Sequence, residues 1–159
     1  MISAYVYLWG GLLVAILVPL VLIDLKFQIL PDNLNLLLSI FGFLQSYFLE
    51  APEAVESLLG SFLAGLVMFV VAKAYKKVRK LEGLGLGDVK LAAAGGLWVG
   101  WTMVGMMIFL GAFSAAVFVF MRSWKFGKID RNERIPFGPF LAFGILCSWV
   151  LRHSSYLWG

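Results

Sequence analysis

Asp24 and Asp88 are the residues of this chain whose type and setting point most directly to chemistry. Asp24 closes a long charge-free stretch, in Val21-Leu22-Ile23-Asp24-Leu25-Lys26. Asp88 opens another, in Gly83-Leu84-Gly85-Leu86-Gly87-Asp88-Val89-Lys90. Ionisable groups in or beside a membrane are costly to bury, so function is sought there first. Two carboxylates a few ångströms apart cannot both ionise easily, and they share a proton. The ionised one takes a proton from water while the protonated one donates to a carbonyl oxygen. That is general acid–base hydrolysis of a peptide bond without a covalent intermediate. Such a pair titrates as a unit. Gly83, Gly85 and Gly87 give the approach to Asp88 few side chains, so a second backbone, such as an extended substrate, fits close by. The purely structural alternative makes the glycines a turn, Asp88 a helix cap and Asp24 a boundary carboxylate facing water.

The elements that must position these aspartates follow from composition. The chain has 159 residues, of which 62% are hydrophobic and 14% charged. Its mean hydropathy is +0.92. Soluble domains run near 45–50% apolar and about 25% charged. A soluble fold of this length cannot hide so much apolar surface, so the expectation is an all-α, polytopic integral membrane bundle. An independent soluble domain, a nucleic-acid reader and a disulfide-stapled secreted scaffold are excluded. The single cysteine, Cys147, makes no internal disulfide and no CxxC zinc site.

Five stretches lack Asp, Glu, Lys and Arg: 1–23, 33–49, 57–72, 91–121 and 135–151. A helical span needs roughly 17–25 apolar residues. Stretch 57–72 reaches that length if Lys73 snorkels and the helix runs on to about Tyr75. Basic residues cluster in 24–32, 73–90 and 122–134, whereas 50–56 carries Glu50, Glu53 and Glu56 and no base. The positive-inside rule makes the basic segments cytoplasmic and 50–56 external, with both termini outside. The net charge of +4 is then a topology signal. Both ends of 91–121 fall on the cytoplasmic side, so this stretch must cross out and return. It is too short for two ordinary spans of about 20 residues. We therefore expect about six membrane segments, the fourth short or re-entrant and covered by protein. The break is expected at Gly95, Gly96 and Gly100, with Trp98 and Trp101 as interfacial anchors. One long tilted helix is the alternative. The first stretch lacks a basic n-region and is long for a signal peptide, so it is kept as a mature helix.

Other constellations are weaker. Cys147 and His153 are six apart, on different helix faces, and His153 is expected at the outer interface. Asp24, Asp32 and Asp88 could in principle hold a hard cation, but neutral oxygen ligands would be needed too, and neither a metal nor a cofactor is expected. Gly96 and Gly100 form a GxxxG pattern suited to helix packing. The Phe and Met residues of 103–121 read as lipid-facing or core filler. The Lys73–Lys80 run is a topology signal first and a lipid or substrate contact second.

Three motifs carry a family resemblance. Asp24-Leu-Lys-Phe-Gln-Ile-Leu-Pro31-Asp32-Asn33 resembles the segment around the first catalytic aspartate of bacterial type IV prepilin peptidases. Gly85-Leu-Gly87-Asp88-Val-Lys90-Leu91 resembles their second, the GxGD motif. Ile135-Pro136-Phe137-Gly138-Pro139-Phe140-Leu141 resembles the Pro-Phe-Gly-Pro element that opens their last helix. The Tyr-Asp and Pro-Ala-Leu motifs of presenilin-type proteases are absent. The resemblance implies one membrane-embedded aspartic peptidase domain over 1–159, with Asp24 and Asp88 as its catalytic dyad. It implies removal of the short basic leader of prepilins or pseudopilins, typically after a glycine, at the cytoplasmic face of the bacterial inner membrane. Gly85 and Gly87 would border the substrate, Lys90 would support the site, and Pro136, Phe137, Gly138 and Pro139 would shape its wall. The partners implied are prepilin substrates and the lipid bilayer, with no nucleic acid. Many bacterial members have an extra N-terminal region, often with paired CxxC motifs, and also N-methylate the new N-terminus using S-adenosylmethionine. This chain starts almost at the peptidase core without CxxC, so peptidase activity alone is expected. Segment 83–87 is expected to move when substrate enters.

Two readings from other classes compete. A small transporter or proton channel would use the aspartates as relay groups, normally near the midplane rather than at one boundary. A non-catalytic subunit of a pilus or secretion assembly would tolerate Asp→Asn at either position.

Overall fold

The structure is a computed structural model. It describes residues 2–49, 52–79, 85–126 and 135–154. Glu50, Lys80, Gly83 and Leu84, named above, and residues 127–134 of the third basic cluster lie outside the described residues. Among the described residues the fold is all-α, with α1 (Ile2–Phe27), α2 (Asp32–Phe48), α3 (Ala54–Arg79), α4 (Leu86–Val99), α5 (Val104–Phe126) and α6 (Gly138–Arg152). A 3-10 turn, Trp101–Met103, joins α4 to α5. Three helices are long and apolar enough to cross a membrane, over Ala4–Phe27, Ala54–Lys77 and Trp101–Lys125. Gly138–Arg152 is a shorter apolar helix.

Gly100 divides the 91–121 stretch, as its position requires. Its φ of +71° ends α4, and an added Cβ would lie 2.9 Å from Pro52 and 3.0 Å from Arg152 Nη1. Only glycine meets both demands without strain. A single long helix over 91–121 is therefore ruled out. Gly95 and Gly96 do not break the helix. They sit inside α4 and let neighbours approach: a Cβ on Gly95 would come within 2.6 Å of two Ile145 side-chain atoms.

The 14-residue α4 is the central pillar of the bundle, and Leu91–Gly100 is buried except for half-buried Ala93. Lipid is as apolar as leucine, so helix association in a membrane relies on close packing and hydrogen bonds rather than hydrophobic burial. Helix α4 uses both. On α3, Gly60 faces Gly96 so closely that a Cβ on either would strike the other's backbone carbonyl. Gly65 faces Ala93 in the same crossing. Gly96 of the GxxxG pattern thus serves packing, while Gly100 serves the turn.

Polar groups hold α4 to α2 and α6. Trp98, expected at the interface, is instead fully buried at 0% exposure. Its Nε1 donates to the Leu38 carbonyl of α2 at 2.8 Å, and its ring lies over Gly42, where no side chain intervenes. Gln45 of α2 is equally buried. Its Nε2 donates to the Trp98 carbonyl at 2.8 Å, and its Oε1 accepts from Trp149 Nε1 of α6 at 3.0 Å. Each such bond is worth about 1–2 kcal/mol in apolar surroundings. Trp101 is the exposed tryptophan of the pair. His153, at the end of α6, is 1% exposed, with its ring 4.5 Å from that of Trp149. Hydropathy places a residue at a depth in the membrane; it does not say whether protein or lipid covers it.

Successive helices run in opposite directions. Gly10 of α1 lies under Trp149 near the end of α6, whereas Asp24 meets Gly138 at its start. Phe118 of α5 packs on Phe140, and Gly144 packs on the Met107 backbone. One end of the bundle is fastened by Arg152, which donates to the Val99 carbonyl at 3.0 Å, to Thr102 Oγ1 at 2.7 Å and to the Glu56 carboxylate. A cation at the end of α6 also suits that helix's own dipole. The end of α1 and start of α2, the end of α3 and start of α4, and the approach to α6 gather at the opposite end, around one cavity.

Candidate active site

Asp24 lies in the last turn of α1. The helix is closed by Gln28, whose φ of +53° is the left-handed conformation and whose N–H donates to the Asp24 carbonyl at 2.8 Å. That conformation costs a non-glycine residue about 1–2 kcal/mol. After this turn Leu30 lines the same cavity as Asp24, and Pro31 leads into α2. Asp24 is 5% exposed. Its Oδ2 accepts the backbone N–H of Gly138 at 3.0 Å. Gly138 is the first residue of α6, where N–H groups have no partner within the helix. A carboxylate there gains a hydrogen bond and a favourable helix dipole.

Asp88 lies in the first turn of α4 and is 8% exposed. Its Oδ2 accepts the N–H of Gly85, three residues earlier, at 3.2 Å. This is the carboxylate half of a capping box; the N-cap is Gly85 and Asp88 stands at N3, so Asp88 is not the N-cap that the structural alternative expects. The bond uses one acceptor position of a group that has several. Capping from N3 and lining a cavity are compatible.

Both aspartates line a single cavity of about 610 Å³. From α1 and the turn after it come Gln28, Ile29 and Leu30. Helix α2 adds Asp32, helix α3 adds Phe69, Ala72, Lys73 and Lys76, and the α4 side adds Gly85, Leu86, Gly87 and Lys90. Ile135, Pro136 and Phe137 close it. Its buried lining residues are Asp24, Leu30 and Asp88, whereas Lys73, Lys76 and Lys90 are exposed. Lys73 Nζ lies 4.7 Å from the centre of the Phe69 ring. Helix α3 extends past Tyr75 to Arg79, further than its charge pattern indicates.

The other expected site residues divide. Gly85, Gly87, Lys90, Pro136 and Phe137 line the cavity. Gly138 is not among the lining residues but donates to Asp24. A Cβ on Gly138 would stand 2.5 Å from Asp24 Oδ2, so glycine is what permits that bond. Pro139 is not among the lining residues; as the second residue of α6 it suits the helix start. Lys90 Nζ pairs with Asp32 Oδ1 at 2.7 Å, joining the starts of α4 and α2. Both partners are well exposed, so the pair is worth less than about 1 kcal/mol. Among the described residues no group of three or more His, Cys, Asp or Glu side chains is placed to hold a metal ion. Gln28, Leu30 and Phe69 are not singled out as site residues by sequence, while Lys73 and Lys76 enter there only as a secondary lipid or substrate contact. Leu30 is inside the first motif, but nothing in its type marks it.

Residues 11–120 match the type IV leader peptidase family. The prepilin leader peptidase/N-methyltransferase of Burkholderia pseudomallei (strain K96243) is 32% identical over 145 residues, covering 91% of this chain and 47% of that protein. The protein of the same name from Aeromonas hydrophila is 33% identical over 159 aligned residues, covering 95% and 51%. That from Pectobacterium carotovorum subsp. carotovorum is 34% identical over 147 residues, covering 91% and 52%. The chain thus spans about half the length of these curated relatives. No solved structure matches it. With the family match covering most of the chain, and both aspartates within it, the chain belongs to the type IV leader peptidase family.

Proposed function

We propose that this chain is a membrane aspartic endopeptidase that removes the leader of type IV prepilins or pseudopilins, with Asp24 and Asp88 as its dyad and the cytoplasmic membrane face as its place of action. The observation that carries the reading is that two buried carboxylates from different helices line one cavity at one end of a membrane bundle. Family membership adds the substrate class. Sidedness rests on the basic residues: Lys26, Lys73, Lys76 and Lys90 belong to the end that holds the cavity.

The chemistry assigned to the dyad is direct. One carboxylate, ionised, removes a proton from water, and the resulting hydroxide attacks the scissile carbonyl carbon. The other, protonated, gives its proton to the carbonyl oxygen. Collapse of the tetrahedral intermediate breaks the C–N bond, and the amine leaves after taking a proton. Gly138 N–H keeps Asp24 in place throughout, and Gly85 N–H does the same for Asp88. A substrate segment at the helix boundary, extended rather than helical, presents its carbonyl beside Gly85, where no side chain crowds the backbone.

The test is cleavage of a leader-bearing pilin by the purified full chain in liposomes, in water enriched in oxygen-18. A leader fragment whose new carboxylate carries one heavy oxygen from the solvent, with no acyl-enzyme trapped by added amines, supports water attack. A trapped acyl-enzyme contradicts it.

A further inference from the structure

Asn35 of α2 carries a polar group that the bundle leaves unused. The residue is 4% exposed, and neither its Oδ1 nor its Nδ2 has a hydrogen-bond partner or meets solvent. Gln45, further along α2, is equally buried but uses both ends of its amide within the bundle. A buried amide gains from any ligand that pairs both of its ends. Asn35 lines a second cavity, of about 400 Å³, together with Asp32, Leu36, Ser39 and Lys90. Asp32 and Lys90 also line the cavity of the dyad, so the two cavities share a border at that ion pair. Exposed ion pairs are weak, so moving the Lys90 side chain there costs little. Asp32, Asn35 and Ser39 follow one another at helical spacing along α2, leading from the dyad's end of the bundle into the membrane.

We propose that Asn35 binds the backbone of the substrate just beyond the scissile bond, where an extended stretch passes into an apolar helix. This rests on the peptidase reading above. The first N–H groups of a helix have no partner within it, and the extended stretch before it has N–H and C=O groups unpaired as well. In membrane surroundings each such group is costly. A side-chain amide offers one donor group and one acceptor group, the same pair that a peptide group carries. Asparagine is also among the side chains best suited to cap a helix start. With Lys90 moved aside, Asn35 Oδ1 accepts an N–H from the first turn of the substrate's helix, and Nδ2 donates to a carbonyl of the extended stretch. Because α2 leads inward from the dyad, the part of the substrate that continues into the membrane meets Asn35, and the part removed does not.

The experiment compares the full-length wild type with Asn35→Leu in liposomes. The substrate is a leader-bearing peptide in which one peptide bond after the scissile bond is replaced by an ester, at each position in turn, so that one N–H is lost at a time. On the all-amide substrate Asn35→Leu is expected to fall about three- to tenfold in kcat/KM. The wild type is expected to lose a similar factor at one ester position, where Asn35→Leu loses nothing further. A merely structural role would leave the ester losses the same in both proteins, and that result overturns the binding site alone. If Asn35→Leu does not fold, Asn35→Ala decides by the same criterion. A difference between variant and wild type that is present in phosphatidylethanolamine vesicles, absent in phosphatidylcholine vesicles and blind to the ester position assigns the groove to a lipid headgroup and also overturns the proposal. A wild type that cleaves none of the substrates overturns the peptidase reading, and the binding site with it.

Discussion

The backbone N–H of Gly138 donates to Oδ2 of Asp24 at 3.0 Å, across 114 residues of sequence. This bond joins the last turn of α1 to the first turn of α6. It makes Asp24 depend on a glycine that never enters the chemistry. A side chain there has no room, because its Cβ would sit 2.5 Å from the oxygen and 3.0 Å from Asp24 Cγ.

Gly138→Ala should therefore displace the Asp24 carboxylate without unfolding the bundle. A misplacement of about 1 Å at a catalytic group lowers rates about 100-fold. The expected outcome is a loss of that order in kcat/KM, with unfolding in detergent little changed. Full activity in Gly138→Ala would show that Asp24 does not need this placement.

The α3–α4 crossing should tolerate no side chain at Gly96. Gly96→Val drives a branched side chain into the Gly60 carbonyl and separates the two helices. Overpacking of this kind costs about 1–3 kcal/mol, or more where backbone must move. Equilibrium unfolding in mixed detergent should show a loss at the upper end of that range. Wild-type stability in Gly96→Val would contradict the close crossing.

Gln45 should behave as one member of a buried set. Gln45→Leu leaves Trp149 Nε1 without its acceptor and the Trp98 carbonyl without its donor. Unpaired buried groups cost about 1–3 kcal/mol. Trp149→Phe removes one of the same bonds, so the double variant should be less destabilised than the sum of the singles. Additive losses in a double-mutant cycle would mean that the two residues are independent.

The Lys90–Asp32 pair should matter little to stability. Both partners face the aqueous end and are exposed. Lys90→Met is expected to change unfolding by less than about 1 kcal/mol, with the difference shrinking in high salt. A larger loss would mean that the junction of α2 and α4 depends on the pair.

Much of this arrangement is legible in the residues themselves. The charge-free stretches mark the helices, and the sidedness of the basic residues requires the turn that Gly100 supplies. Asp24 and Asp88 stand out because carboxylates beside apolar runs are expensive. What stays hidden depends on contacts far apart in sequence. Trp98 and His153 carry amphipathic rings typical of an interface, yet both are covered by neighbouring helices. Leu30 reads as one more apolar residue, because the left-handed turn at Gln28 that precedes it has no sequence signature, although it lines the cavity with both aspartates. The Gly138–Asp24 bond is invisible for the same reason: a backbone N–H has no residue type.

The most direct test of the central claim is cleavage of a leader-bearing pilin in liposomes by the wild type, Asp24→Asn and Asp88→Asn. Asparagine keeps the shape of each side chain and removes its acid–base capacity. The two-aspartate account predicts a leader-sized fragment from the wild type and none from either variant, with all three equally folded. Undiminished cleavage by either variant would contradict it.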